Sequence, residues 1–123
     1  MKSTKRTTAL ITLFAIGLAL PAAADVKIGV LIPESGPAGL FGPSARQAAT
    51  LAALEINESG GINGEPIELV FADVGGAPAA AVQSAIRLWR GENVEGFVGM
   101  HDSAVREALI GQFKAQVPYV YTP

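Results

Sequence analysis

Short runs of β-branched and aliphatic residues alternate with longer, alanine-rich segments of helical spacing, and that alternation leaves this chain few folds to choose from. Residues 26–32, 67–72, 94–100 and 118–121 are the apolar runs, each of strand length. The first helical segment, 44–58, opens at Ser44 with Gln47 three residues on, the spacing of a capping box, and stops at Gly60-Gly61, where a left-handed cap is easily formed. Its expected buried face, Ala45, Ala48, Ala49, Ala52, Ala53 and Ile56, is small enough to let a helix lie close to a sheet. Asn63-Gly64 signals a turn within 62–66. Pro78 suits the first turn of a second helix, with Ala81, Val82, Ala85, Ile86 and Trp89 on one stripe and an end near Gly91. A third helix is predicted over 103–116. Apolar strands joined by helices make a parallel sheet, because each crossover covers a sheet face. Right-handed crossovers then give a doubly wound, Rossmann-like α/β layer.

The start of the chain is of another kind. Lys2, Lys5 and Arg6 precede an apolar run from Ala9 to Leu20, Pro21 breaks it, and Ala22-Ala23-Ala24 has the small-x-small pattern of a signal-peptidase site. The run is about 12 residues long, whereas a membrane span needs roughly 20. Residues 1–24 therefore read as a cleavable signal, with Asp25 the first mature residue. Cleavage removes three of the nine basic residues and none of the eleven acidic ones, leaving a mature net charge of −5. That balance, without a basic cluster, argues against nucleic acid as a partner. Cysteine is absent, which excludes disulfides, cysteine metal sites, a cysteine nucleophile and the lipid anchor of a lipoprotein. A soluble, unanchored periplasmic protein is expected. The apolar pattern of 117–123 stops without a closing helix, so residues 25–123 are expected to be part of a larger unit.

Ligands of such sheets sit beyond the carboxyl ends of the strands. Three segments fall there: 33–43, with three glycines and three prolines around Leu40 and Phe41; Met100-His101-Asp102-Ser103, leading into a helix; and Thr122-Pro123. Asp102 or Ser103 is placed to cap the third helix. A helix start offers free N–H groups and partial positive charge to a carboxylate, and Ser103 adds a hydroxyl; a capped helix facing water is the plainer reading of the same residues. His101, Asp102 and Ser103 are the residue types of a catalytic triad, but three consecutive side chains at a turn do not converge. Segment 33–43 lacks both G-x-G-x-x-G and G-K-[ST], so it is not a phosphate loop. Phe41 is either a lid on its own loop or a wall for a ligand. Asp73 could meet a ribose, yet without a glycine fingerprint it reads as a turn former. Trp89 reads as core.

Lys27-Ile28-Gly29-Val30, Ser35-Gly36-Pro37, Phe41-Gly42, Glu55-Ile56-Asn57 and Gly60-Gly61-Ile62-Asn63-Gly64, followed by Val98-Gly99, Ser103 and Val117-Pro118, resemble the periplasmic binding proteins for branched-chain amino acids. Asp73-Val74-Gly75-Gly76 and Tyr119-Val120-Tyr121-Thr122-Pro123 are more similar to the amide- and urea-binding relatives of that family. The resemblance implies the first part of lobe 1 of a type I clamshell that delivers a small solute to the membrane permease of an ABC transporter, as a monomer and without cofactor or metal. It also implies that Ser103 and neighbouring amides hold the ligand's carboxylate or amide end, that Phe41 lies against its side chain, and that further contacts follow Thr122. The ligand-binding set expected is His101, Asp102, Ser103, Leu40, Phe41 and Thr122. An exported ligand sensor of the same fold is the alternative. A small secreted α/β enzyme lacks an acid–base or nucleophile constellation.

Overall fold

A computed structural model of the chain describes residues 25–99 and 102–121. The proposed signal, together with Met100, His101, Thr122 and Pro123, lies outside the described residues. Strand β1 spans Val26–Ile32, helix α1 Gly42–Glu58, β2 Ile67–Asp73, α2 Pro78–Gly91, β3 Gly96–Gly99, α3 Ser103–Phe113 and β4 Tyr119–Val120, with a 3-10 turn at Gly39–Phe41. All strand pairs are parallel and the order is β2-β1-β3-β4. β1 is central: Val30 is level with Phe71 of β2 on one side and Val98 of β3 on the other.

The two sheet faces are unequally covered. Alternate residues point to opposite faces. Leu31, Ala72 and Phe97 join one buried cluster with Ala81, Ala85 and Leu88 of α2 and Val105, Leu109 and Phe113 of α3. Phe113 is its centre, stacked on Phe97 at 4.9 Å between ring centroids and met edge-on by Trp89 and Tyr119, each at 5.8 Å. Offset and edge-on pairs of this kind add to the area they bury. α1 lies on the opposite face, over β1 and β2. The chain thus forms the doubly wound α/β layer expected from its alternation.

Several local expectations are corrected. α1 begins two residues before Ser44, with Phe41 at the cap position and Pro43 in the first turn, and no side chain caps it. The Ser44 hydroxyl instead donates to the Phe41 carbonyl at 3.0 Å, so the Ser44–Gln47 capping box does not form. Of the alanine face only Ala53 is buried; Ala48, Ala52 and Ile56 are exposed, because a single helix over two strands leaves its flanks open. The stripe of α2 omitted Leu88, which is buried, and Trp89 is only half-buried at the cluster's edge. β3 starts at Gly96 because Asn93 takes a left-handed conformation, and Val94 reaches the core from a turn in which its N–H bonds the Leu88 carbonyl. α3 ends at Phe113, three residues early. Lys114 and Ala115 are both left-handed there, which returns the chain so that Val117 is buried in the cluster beside Phe113.

The end of α1 follows its sequence closely. The N–H of Gly61 bonds the Ile56 carbonyl at 2.9 Å and that of Gly60 bonds Asn57 at 3.1 Å, the paired bonds of a Schellman cap. Asn63 and Gly64 are both left-handed, and Ile62 and Glu65 exchange hydrogen bonds across them, a two-residue turn of type I′.

Candidate functional site

The connection from β1 leaves over one face of the sheet and that from β3 over the other. A crevice therefore opens between the carboxyl ends of these neighbouring strands, the topological switch point where ligands of such sheets bind. Residues 33–41 form its β1 side, and the start of α3 forms its β3 side.

On the β3 side, Asp102 is the N-cap of α3, in extended conformation, and its Oδ1 accepts the N–H groups of Ala104 at 2.8 Å and Val105 at 3.0 Å. The expected cap is therefore present, and it changes what the helix end offers. Asp102 occupies two of the amides an anion would use and adds a negative charge beside them. Ser103, exposed in the first helical turn, is left as the polar group at this edge. Behind it, the Tyr119 hydroxyl donates to the Gly99 carbonyl at 3.2 Å, tying β4 to the last residue of β3. Burial, and then the neighbouring Tyr121, push the Tyr119 phenol up to about 12, with Arg106 opposing. That bond therefore keeps its proton throughout the physiological range. The Arg106 guanidinium lies over the Tyr121 ring, 4.7 Å from its centroid.

On the β1 side, Leu40 is 74% and Phe41 52% exposed, both within the 3-10 turn that runs into α1. Glu34 pairs with Arg46 at 2.6 Å, and the Arg46 guanidinium stands 3.9 Å over the Phe71 ring. Residues 33–41 rest on the β2–α2 loop. A Cβ at Gly36 would strike the Gly75 carbonyl oxygen, and one at Gly75 would strike that of Ser35, so the two backbones touch only because both residues are glycine. Asp73 stands between them, its Oδ1 accepting from Glu34 N at 2.8 Å, Ser35 N at 3.2 Å and Gly75 N at 2.9 Å. Hydrogen bonding from the Ser35 side chain, then from the Gly75 amide, holds its carboxyl below the ordinary 3.8 against the opposing effect of burial.

The structure thus brings Leu40 and Phe41 to one side of the crevice and Asp102 and Ser103 to the other, while His101 and Thr122 lie outside the described residues. Sequence reasoning passed over the long-range bonds of Asp73, the Tyr119–Gly99 bond and the Arg46–Phe71 contact. Only the Asp73 turn had a local signal, its glycine two residues on. Among the described residues no group of three His, Cys, Asp or Glu side chains is arranged to hold a metal. An apolar groove of about 440 Å³ is lined by Ile110, Phe113, Ala115, Val117, Pro118, Tyr119 of β4 and Tyr121.

Comparison with known proteins gives the family and the fold. The periplasmic binding protein family matches residues 25–123. The chain is 39% identical over 90 residues to Leu/Ile/Val-binding protein homolog 3 of Brucella melitensis, which spans 73% of this chain and 24% of that protein. Its fold is similar to that of LivJ, the branched-chain amino acid transporter substrate-binding protein of Streptococcus pneumoniae, solved in complex with isoleucine. The TM-score is 0.72 at 33% identity, covering 81% of this chain and 30% of that one. Leucine-binding protein LivK of Thermotoga maritima is similar with a TM-score of 0.67 at 27% identity, over 80% of this chain and 28% of that one. This chain spans about a quarter of the length of the relatives it matches in sequence. These relatives are binding proteins and not enzymes. The family's match over the whole of 25–123, on a chain folded as a parallel α/β sheet, identifies the chain as a member of the periplasmic binding protein family.

Proposed function

We propose that this chain supplies one wall of the ligand crevice of a solute-binding component serving an ABC importer, with a branched-chain amino acid as the solute. The observation that carries the reading is the two-sided chemistry of the crevice. Leu40 and Phe41 present apolar surface on the β1 side, and Ser103 presents a hydroxyl at a helix start on the β3 side. An amino acid has an apolar end and a polar end in the same order. The Asp102 charge favours a solute carrying an ammonium group over a bare anion. His101 and Thr122, by their place in the chain, complete the set. The names of the relatives agree: one is a homolog of Leu/Ile/Val-binding proteins, and the other was solved in complex with isoleucine.

Residues 1–24 serve as the export signal in this reading, and residues 25–123 act in the periplasm as a monomer that meets a membrane permease. The described wall is one-sided. Small-ligand sites bury roughly 70–90% of the ligand, and a rim on which Leu40 remains 74% exposed does not do so alone. A facing wall is required for tight capture, so residues 25–123 are a partial lobe.

The test is calorimetric titration of the purified chain with L-leucine, L-isoleucine, L-valine, acetamide and urea, beside the intact mass of the protein recovered from its host's periplasm. A mass well above that of residues 25–123, with saturable binding of the branched-chain amino acids by that larger species, is the expected result. Saturation by acetamide or urea instead moves the assignment to the amide-binding relatives. Binding of none of the five by the larger species overturns it.

A further inference from the structure

Segment 34–41 carries Leu40 and Phe41, yet it has no strand or long helix of its own to hold it. Its internal bonds are those of successive turns, Gly39 N to the Gly36 carbonyl at 3.1 Å and Phe41 N to the Ala38 carbonyl at 3.0 Å. Such turns transmit position from one end to the other but do not anchor it to the sheet. The far end is fixed by entry into α1. At the near end, the two amides that follow Pro33 both donate to one atom of another strand, Oδ1 of Asp73, across 39 and 38 residues of sequence. The same oxygen accepts Gly75 N, which aligns the β2–α2 loop for the glycine-on-glycine contact beneath Ser35 and Gly36.

We propose that Asp73 is the positioning residue of the crevice, a single carboxylate oxygen that sets where Leu40 and Phe41 stand relative to the start of α3. The proposal rests on the ligand reading above for its consequence, but its structural content is independent of which solute binds. Asp73 is exposed, so its three bonds to backbone amides are not needed to satisfy a buried charge. Glu34 is paired with Arg46, and no residue from 74 to 86 is charged, so no cation of these segments neutralises Asp73 in place of the amides. Charge-assisted bonds to backbone amides are roughly twice as strong as neutral ones. A neutral side chain of the same shape holds the segment less firmly, and a methyl group does not hold it.

Residue-resolved amide exchange on the full chain tests this, comparing wild type with Asp73→Asn and Asp73→Ala. Opening free energies translate into exchange rates, so loss of a charged bond speeds the amides of Glu34 and Ser35 by about ten- to a hundredfold. Asp73→Ala is expected to show that acceleration while Leu31 and Val98 in the strand ladder keep their wild-type rates. Asp73→Asn is expected to fall between. Unchanged rates at Glu34 and Ser35 in Asp73→Ala overturn the proposal. If Asp73→Ala also loses ladder protection, Asp73→Asn decides: selective acceleration at Glu34 and Ser35 supports the anchor, and uniform acceleration or none refutes it. L-leucine titration of the same proteins reads the consequence. Weaker binding by Asp73→Asn supports positioning, and equal binding by a protein with a loosened segment refutes it. No leucine binding by wild type counts against the ligand assignment alone, since the exchange rates still report the anchor.

Discussion

One amide side chain ties the end of α1 to the beginning of β2. Asn57 Nδ2 donates to the Ile67 carbonyl at 3.0 Å, and Asn57 Oδ1 accepts the Ile67 N–H at 2.7 Å. Asn57→Ala leaves both groups of a buried residue without a partner, and we expect a loss of about 1–3 kcal/mol in urea unfolding. Asp102 acts over a shorter range. Removing its cap by Asp102→Ala should cost ~1 kcal/mol, while Asp102→Asn should cost little, because a carboxylate oxygen and a carboxamide oxygen both accept the helix N–H groups well. Comparison of the two variants by thermal unfolding checks this. The two residues differ in legibility. Asp102 precedes a helix and bonds amides two and three positions on, so its role is readable from spacing alone. Asn57 and Asp73 bond residues 10 and up to 39 positions away, and no local pattern announces such partners.

At the scale of elements, the boundaries that failed are those where packing overrules local preference. Pro43 and the preceding 3-10 turn carry the chain into α1 before Ser44 is reached, so a residue with good capping chemistry sits inside the helix. Lys114 and Ala115 accept left-handed conformations without a glycine because Phe113 and Val117 must both reach the core. Between β1 and β2, the contact of the two loops rests on small residues. Gly75→Ala drives a methyl into the Ser35 carbonyl, and we expect a cost of about 1–3 kcal/mol together with faster amide exchange at Ser35. Gly76→Ala, whose Cβ meets nothing within 4 Å, is the control and should show neither effect.

For the molecule as a whole, stability is concentrated on one face of the sheet. Leu109, wholly buried between α2 and the strands, should cost about 2–5 kcal/mol as Leu109→Ala, whereas Leu54→Ala, at a residue 54% exposed on α1, should stay within ~0.5 kcal/mol. Denaturant midpoints decide between this and an evenly shared core. The pH dependence has two limbs of opposite origin. Asp73 has a lowered folded pKa, so its contribution is complete above the unfolded value of 3.8 and is lost as pH falls below it. Tyr119 has a raised one, so its contribution is complete below 10.0 and is lost as pH rises from there towards about 12. Asp73→Asn should flatten the acid limb and Tyr119→Phe the alkaline limb, each leaving the other unchanged.

The order of elements and the parallel sheet follow from the sequence by itself. Strand-length apolar runs alternating with helical spacing admit few other arrangements, and Gly60-Gly61 and Asn63-Gly64 bring their own backbone geometry. Leu40, Phe41, Asp102 and Ser103 are expected after strand ends from their position in the sequence, and they stand there in the structure. Only the tertiary structure decided what holds them there: the Asp73 oxygen under segment 34–41, the Tyr119 hydroxyl on Gly99, and the bareness of much of α1. These depend on groups far apart in the chain arriving at hydrogen-bond or contact distance. Sequence periodicity carries no information on such separations, because it reports which face a residue is on and not what stands opposite.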